Sequence, residues 1–172
     1  MRIGKFGVSS RISNLQIDQL IYYSNTDSVI RKFTSDAKRF LNRSSYEKWK
    51  KERNVYILSD NSNDLFGIVW FGEKEIPKKK FIYKFDSSKY GITFAVRIYG
   101  EARGKGLSAN FIEEAMRLYK RSEDFKKIKN QCIWLETNKD NLPAINSYKR
   151  VGFEQVSEPD NEGRILMAKL LP

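Results

Sequence analysis

The sequence predicts one α/β domain spanning residues 1–172, with a mixed sheet of about seven strands flanked by helices. Three stretches carry this. Tyr90–Ile98 is rich in β-branched and aromatic residues and runs through a Gly-rich turn into a helical pattern. Residues 131–157 read as strand, short helix, strand, and residues 164–171 as a closing strand after a turn at Pro159–Gly163.

In chain order, Ile3–Val8 reads as a first strand. Ser13 caps a helix over Asn14–Tyr23, with Leu15, Leu20 and Ile21 inward. Asp27 starts a second helix whose apolar stripe is Val29, Ile30, Phe33, Ala37, Phe40 and Leu41, continuing or restarting through Ser44–Lys50. Asn54–Leu58 and Leu65–Phe71 are strands joined by the polar turn Asp60–Asp64. After the turn that follows Ile98, Leu107, Phe111, Ile112, Ala115, Met116, Leu118 and Tyr119 recur at helical spacing.

That turn holds Gly104 and Gly106 around Lys105 where the helix begins. Glycine lets a backbone approach a ligand closely, and the free N–H groups and dipole of a first helical turn attract an anion. The segment therefore reads as a phosphate cradle. It is neither a dinucleotide fingerprint, since the third Gly is missing, nor a P-loop, whose spacing occurs nowhere in the chain.

Arg103-Gly-Lys-Gly-Leu-Ser108 resembles the pyrophosphate turn of the GNAT superfamily of acyl-CoA-dependent N-acetyltransferases, Gln/Arg-x-x-Gly-x-Gly/Ala. Arg103 and Gly106 match, and Ser108 replaces the last small residue. A second signature of that family, Asn-x-x-Ala followed by Tyr-x-x-x-Gly-Phe, is met by Asn141, Ala144, Tyr148, Gly152 and Phe153. Both motifs stand in the family's order, and the resemblance runs from about Leu65 to the C-terminus.

The resemblance implies a mostly antiparallel sheet with a V-shaped splay between its central strands. The pantetheine arm of acetyl-CoA, the implied co-substrate, would lie in that gap. The backbone of Val96, Arg97 and Ile98 would pair with the pantetheine amides. Arg103, Gly104, Lys105, Gly106, Leu107 and Ser108 would take the pyrophosphate, with Asn141 a polar contact to the arm and Tyr148 the general acid toward the thiolate. The early helices would wall the acceptor cleft. The family's frequent basic Glu, six residues before Ile98, is replaced by Ile92; Glu136, Glu101 or a water chain are the substitutes.

Composition narrows the chemistry. With no histidine, His-based triads and His metal ligands are excluded, and no metal is expected. The single Cys132 lies in an apolar strand, where a thiol reads as a small hydrophobe, and it suits a reducing compartment. The absence of a bilayer-length apolar run and of a signal-peptide core makes the expected location cytoplasmic. The net charge is 32 − 21 = +11, which attracts polyanions such as CoA. The Lys78–Tyr90 run, where bases alternate with aromatics, reads first as an extended arm packed on one side and second as a single-stranded nucleic-acid surface.

The expected activity is transfer of an acetyl group to a primary amine of a small molecule, peptide or protein, by direct attack in a ternary complex. A non-catalytic acyl-CoA-binding module and a basic nucleic-acid-binding protein are the alternatives. The early helical pair, before Ser44–Lys50, carries only a few acids, Asp18, Asp27 and Asp36, among many Lys and Arg, which argues against a polycationic acceptor. An edge strand near the C-terminus leaves room for a homodimer.

Overall fold

The computed structural model describes residues 2–83, 86–129 and 132–169. Strands follow the hydrogen-bonded order β1-β2-β3-β4-β5-β6-β8-β7. The chain divides into two compact units, Met1–Trp70 with Val96–Ala115, and Phe71–Ala95 with Met116–Pro172.

In the first unit the expected opening strand is a short hairpin, β1 (Arg2–Ile3) and β2 (Phe6–Ser9), with β2 antiparallel to β3 (Asn54–Ser59). The split of the opening strand brings the expected mixed sheet of about seven strands to eight. Helix α1 (Asn14–Thr26) begins at a capping box, in which Ser13 accepts from Gln16 N and Gln16 returns the bond. The same Gln16 amide donates to Asn63 O and Oδ1, both at 3.0 Å, and Gln19 accepts from Leu65 N at 2.8 Å. Two glutamines thus dock α1 on the turn and strand start at Asn63–Leu65 and rotate the helix, so that Gln16, Ile17 and Leu20 are buried while Leu15, expected inward, is exposed.

The helix expected from Asp27 breaks into three: α2 (Ser28–Phe33), α3 (Asp36–Arg39) and α4 (Arg43–Lys50). Thr34 causes the first break. Its hydroxyl donates back to Ile30 O at 2.8 Å and accepts from Asp36 N at 3.1 Å, and such side-chain bonds compete with the helical ladder. Asn42 then caps α4 through Ser45 N at 2.9 Å. With the stripe interrupted, Val29 and Leu41 face solvent, against expectation, while Ile30, Phe40 and Tyr46 are core. Phe40, Trp49 and Trp70 meet edge to face, with ring centroids 4.8–6.1 Å apart.

Strand β4 (Leu65–Glu73) begins in the first unit and ends in the second; β5 (Ile92–Ile98) and α5 (Leu107–Lys120) are likewise divided. A Cβ at Gly67 on β4 would stand 3.0 Å from Arg97 O, 3.0 Å from the Phe111 ring and 3.2 Å from Ile98 Cδ1.

In the second unit β5 pairs in parallel with β6 (Ile133–Asn138) at Ile92↔Ile133 and Thr93↔Trp134, and the paired register stops there. Helix α6 (Glu123–Lys127), which no pattern announced, precedes β6. Helix α7 (Leu142–Arg150) leads to β7 (Glu154–Gln155), shorter than expected, and β8 (Arg164–Lys169) pairs antiparallel with both β6 and β7. Gln131 and residues 170–171, expected in strands, lie outside the described residues, as do Lys84 and Phe85 of the basic arm.

The rest of that arm is laid down rather than projecting. Phe81 bridges to Ser157, Ile82 N donates to Val156 O, and Glu158 N donates to Lys80 O. Lys79 Nζ sits 2.8 Å from Glu136 and 2.9 Å from Asp160. Phe81 packs on a core of Ile76, Tyr90, Trp134, Val156, Leu166 and Ala168.

Candidate functional site

The site residues expected from the sequence fall in two groups. Val96 to Ser108 form one continuous piece of the first unit; Asn141 and Tyr148 belong to the second.

In the first piece, Tyr99 N donates to Phe66 O at 2.8 Å. Backbone polarity alternates along a strand, so the amides of Val96 and Ile98 point to the edge of β5 away from β4. Their carbonyls have local partners: Arg97 donates to Val96 O at 2.9 Å and Arg103 to Ile98 O at 3.0 Å. What the strand end offers at this edge is therefore N–H donors.

A 3₁₀ turn over Gly100–Ala102 carries the chain to Gly104 and Gly106, with φ of +78° and +69°. A Cβ at either would meet nothing within 4 Å. Backbone conformation, rather than crowding, is what calls for glycine here, and the turn is open on its outer side. Helix α5 starts immediately after, at Leu107, with Ser108 half-buried in its first turn and no acidic residue there. Lys105 is exposed. Free amides at a helix start, two left-handed glycines and a lysine compose a surface suited to a phosphate.

The turn is held from below by α1 and α2. Tyr23 stacks on the fully buried ring of Tyr99, with centroids 4.8 Å apart and planes 11° from parallel. Burial holds the Tyr99 phenol well above its ordinary pKa, and its hydroxyl has no hydrogen-bond partner among the described residues. Arg103 donates to Asp27 Oδ2 at 2.6 Å, so its charge, expected beside the phosphates, is shared with a carboxylate. Burial raises the Asp27 pKa, but the Arg103 bond and charge and the amides of Ile30 and Val29 more than offset it, leaving the pKa lowered.

A second ion cluster lies behind β5. Asp36, 0% exposed, accepts from Arg97 Nε at 2.6 Å and from an Arg97 terminal nitrogen at 3.1 Å, and it also pairs with Arg39. The Arg97 guanidinium lies 4.8 Å from the Trp70 ring centroid. No sequence signal announced this cluster, because an aspartate between Ser35 and Ala37 reads as a surface residue.

In the second unit Asn141 occupies the N-cap position of α7, yet its side chain makes no capping bond; Pro143 in the first turn supplies the helix start instead. Tyr148 is buried, its ring edge-on to Phe94 at 6.2 Å and to Phe153 at 6.0 Å. Ile92, at the position of the family's frequent Glu, is completely buried. Glu136 is engaged by Lys79 and by Arg164 at 3.1 Å, which removes much of its appeal as a base. Glu101 is exposed, 4.0 Å from Lys5. Cys132 packs against the apolar cluster, as expected of a small hydrophobe.

A profile of the acetyltransferase (GNAT) family matches residues 23–153, most of the chain. The chain belongs to this family. Mycothiol acetyltransferase of Corynebacterium jeikeium is 30% identical over 99 residues, 56% of this chain but 26% of that protein, so the chain spans about a quarter of that relative's length. Two solved GNAT-type structures share the fold at low identity. The ribosomal-protein-S5-alanine acetyltransferase of Vibrio fischeri superposes with a TM-score of 0.66 at 13% identity, covering 99% of this chain and 95% of that one. The spermidine N-acetyltransferase of Vibrio cholerae, solved with CoA and spermine, gives 0.62 at 12% identity over 96% and 94%. The GNAT assignment agrees with the α/β fold and mixed sheet described above.

Proposed function

We propose that this chain is a single-domain, acetyl-CoA-dependent N-acetyltransferase that acetylates a primary amine in a ternary complex. The observation that carries the proposal is the continuous piece from Val96 to Ser108: strand-edge amides, then an open turn with two left-handed glycines, then a helix start, in a GNAT chain. Acetyl-CoA supplies the activated acetyl group as a thioester.

The chain's own residues do the rest. The amides of Val96 and Ile98 orient the pantetheine arm, with Arg97 between them fixed by Asp36. The Arg103 amide, expected at the pyrophosphate, is taken by Gly100 O at 3.1 Å; the amides from Gly104 to Ser108 bind the pyrophosphate, and Lys105 adds charge where counter-charge is needed. Arg103 acts from behind, holding the turn to Asp27. Asn141, with no capping bond of its own, offers its amide to the arm. Tyr148 Oη gives its proton to the departing sulfur, the step that most raises the leaving group's competence. The acceptor amine must be neutral to attack; with Ile92 apolar and Glu136 engaged, its proton leaves through water. The proposed location is the cytoplasm; no helix among the described residues is long and apolar enough to cross a membrane.

Spermine accompanies one GNAT neighbour. The aspartates of the early helices here do not suit such a ligand, because each is paired: Asp18 with Arg43, Asp27 with Arg103, and Asp36 with Arg39 and Arg97. A polycation would have to break these pairs, which argues against a polyamine acceptor.

A second reading, a GNAT module that binds acyl-CoA without turnover, is favoured by buried Ile92 at the position of the family's acid. The first test is acetyl-CoA binding by calorimetry on the wild type and Gly106→Glu. Saturable binding abolished in the variant supports the cofactor site; no binding to either overturns both readings.

A further inference from the structure

The cluster behind β5 holds more positive charge than its structural task requires. Asp36 is already satisfied by Arg97, whose fork takes both carboxylate oxygens, at 2.6 and 3.1 Å. Arg39 is a second guanidinium on the same carboxylate, reaching only the oxygen that Arg97 also uses. Its Nε and its other terminal nitrogen have no acceptor among the described residues.

Arg39 is nevertheless held in place. Its guanidinium lies 5.5 Å from the Trp70 ring centroid and 5.9 Å from that of Phe40, and its side chain is 32% exposed. Burial lowers the Arg39 pKa, Asp36 opposes this, and the positive charges of Arg97 and Arg53 lower it further. Arg53 has its own acid, Glu52, at 3.6 Å, but that acid is 83% exposed. Arg39 and Arg97 thus share one carboxylate, Asp36, beside an aromatic wall, and Arg39 is the partner with a partly exposed, unused fork.

Crowding a second, half-buried guanidinium against the first costs free energy unless an anion completes the set. A guanidinium fork with two free N–H groups fits the two oxygens of a carboxylate. The cluster is also tied to the proposed donor site, since Arg97 donates to Val96 O at 2.9 Å. We infer that Arg39, backed by Arg97 and Trp70, is a recognition site for a carboxylate carried by the amine acceptor. This rests on the N-acetyltransferase reading and narrows it to amines that also bear an acid group, the opposite charge class from a polyamine. Arg39 in this role is a specificity residue that binds the acceptor and takes no part in proton transfer.

The test is a titration of 15N-labelled protein with acetate, and with acetamide as the neutral match, at constant ionic strength. The Arg39 Nε–H resonance is followed in the wild type, and the Trp70 indole resonance in the wild type, Arg39→Gln and Arg39→Lys. Expected are a saturable shift with acetate, none with acetamide, loss in Arg39→Gln, and affinity weakened about tenfold in Arg39→Lys, which keeps charge but lacks the fork. Arg39→Lys carries the comparison if Arg39→Gln does not fold. No saturable acetate shift, an equal shift with acetamide, or an acetate shift unaltered in the variants overturns the inference. Calorimetry with acetyl-CoA on the same samples separates the two levels. Intact acetyl-CoA binding without an acetate response sinks only the carboxylate site, whereas absent acetyl-CoA binding sinks the enzyme reading beneath it.

Discussion

The carboxylate of Asp27 serves two elements at once. One oxygen caps α2 through the amides of Val29 and Ile30, at 3.0 and 3.1 Å, and the other takes the Arg103 guanidinium of the glycine turn at 2.6 Å. The two roles separate by substitution. Asp27→Asn keeps an oxygen for the cap and loses the ion pair, at a cost of about 1 kcal/mol or less for a partly exposed pair. Asp27→Ala loses the cap as well, about 1 kcal/mol more. Because the folded pKa is lowered, the stabilisation is present above the unfolded value, about 4, and is lost as pH falls through the folded one. Thermal melts between pH 6 and 2 should show the wild type losing its advantage over Asp27→Asn below about pH 4. Parallel curves would mean that the Arg103 pair adds nothing.

Gly106 tests the turn. In Gly106→Ala a left-handed φ costs about 1–2 kcal/mol locally, with no clash, since the space around it is empty. Gly106→Glu adds a negative charge where phosphate is proposed to sit. The expected acetyl-CoA affinity is modestly reduced in the first and unmeasurable in the second by calorimetry. Equal affinities in the wild type and Gly106→Glu would place the pyrophosphate elsewhere.

Tyr148→Phe removes one hydroxyl and leaves the ring contacts with Phe94 and Phe153 in place. Turnover should fall by about 10²-fold or more while acetyl-CoA affinity is unchanged. Undiminished turnover would make Tyr148 a core aromatic and nothing else.

Lys79 fastens the basic arm through Glu136 and Asp160. The Lys79 bond, together with the amides of Arg164 and Glu162, holds the Asp160 carboxyl down at about 2. A depressed carboxylate stabilises above its unfolded pKa, so protection of the Ile82 and Glu158 amides against hydrogen exchange should hold down to about pH 4 and vanish as pH falls through about 2. Lys79→Met should raise exchange at both amides already at neutral pH. If only one of the two responds, the arm is not a single cooperative piece.

What the sequence made legible was local. The glycine turn after β5 and the run from Asn141 to Phe153 depend on Gly, Pro and helical spacing, all of which act within a few residues. The polar contacts that decide the first unit act at long range. Gln16 and Gln19 turn α1 by reaching the β3–β4 turn, which hydrophobic periodicity cannot register. Thr34 ends α2 with a hydroxyl that periodicity counts as neutral. Asp36 and Arg97 are 61 residues apart, so neither announces the other. The proposed acceptor side lies on that illegible part, which is why the proposed donor side could be read from motifs and the Asp36 cluster only from the folded structure.

Gly67 has none of the left-handed backbone that usually explains a glycine; what it lacks is room, with Arg97 O and the Phe111 ring both 3.0 Å from where a methyl would stand. A carbonyl cannot swing aside as a side chain can. An alanine there would act as a wedge, prising the end of β5 outward and dragging Arg97, and with it Asp36, away from Trp70. The alignment of the Arg97 end of β5 is thus set by the thickness of a single missing methyl group.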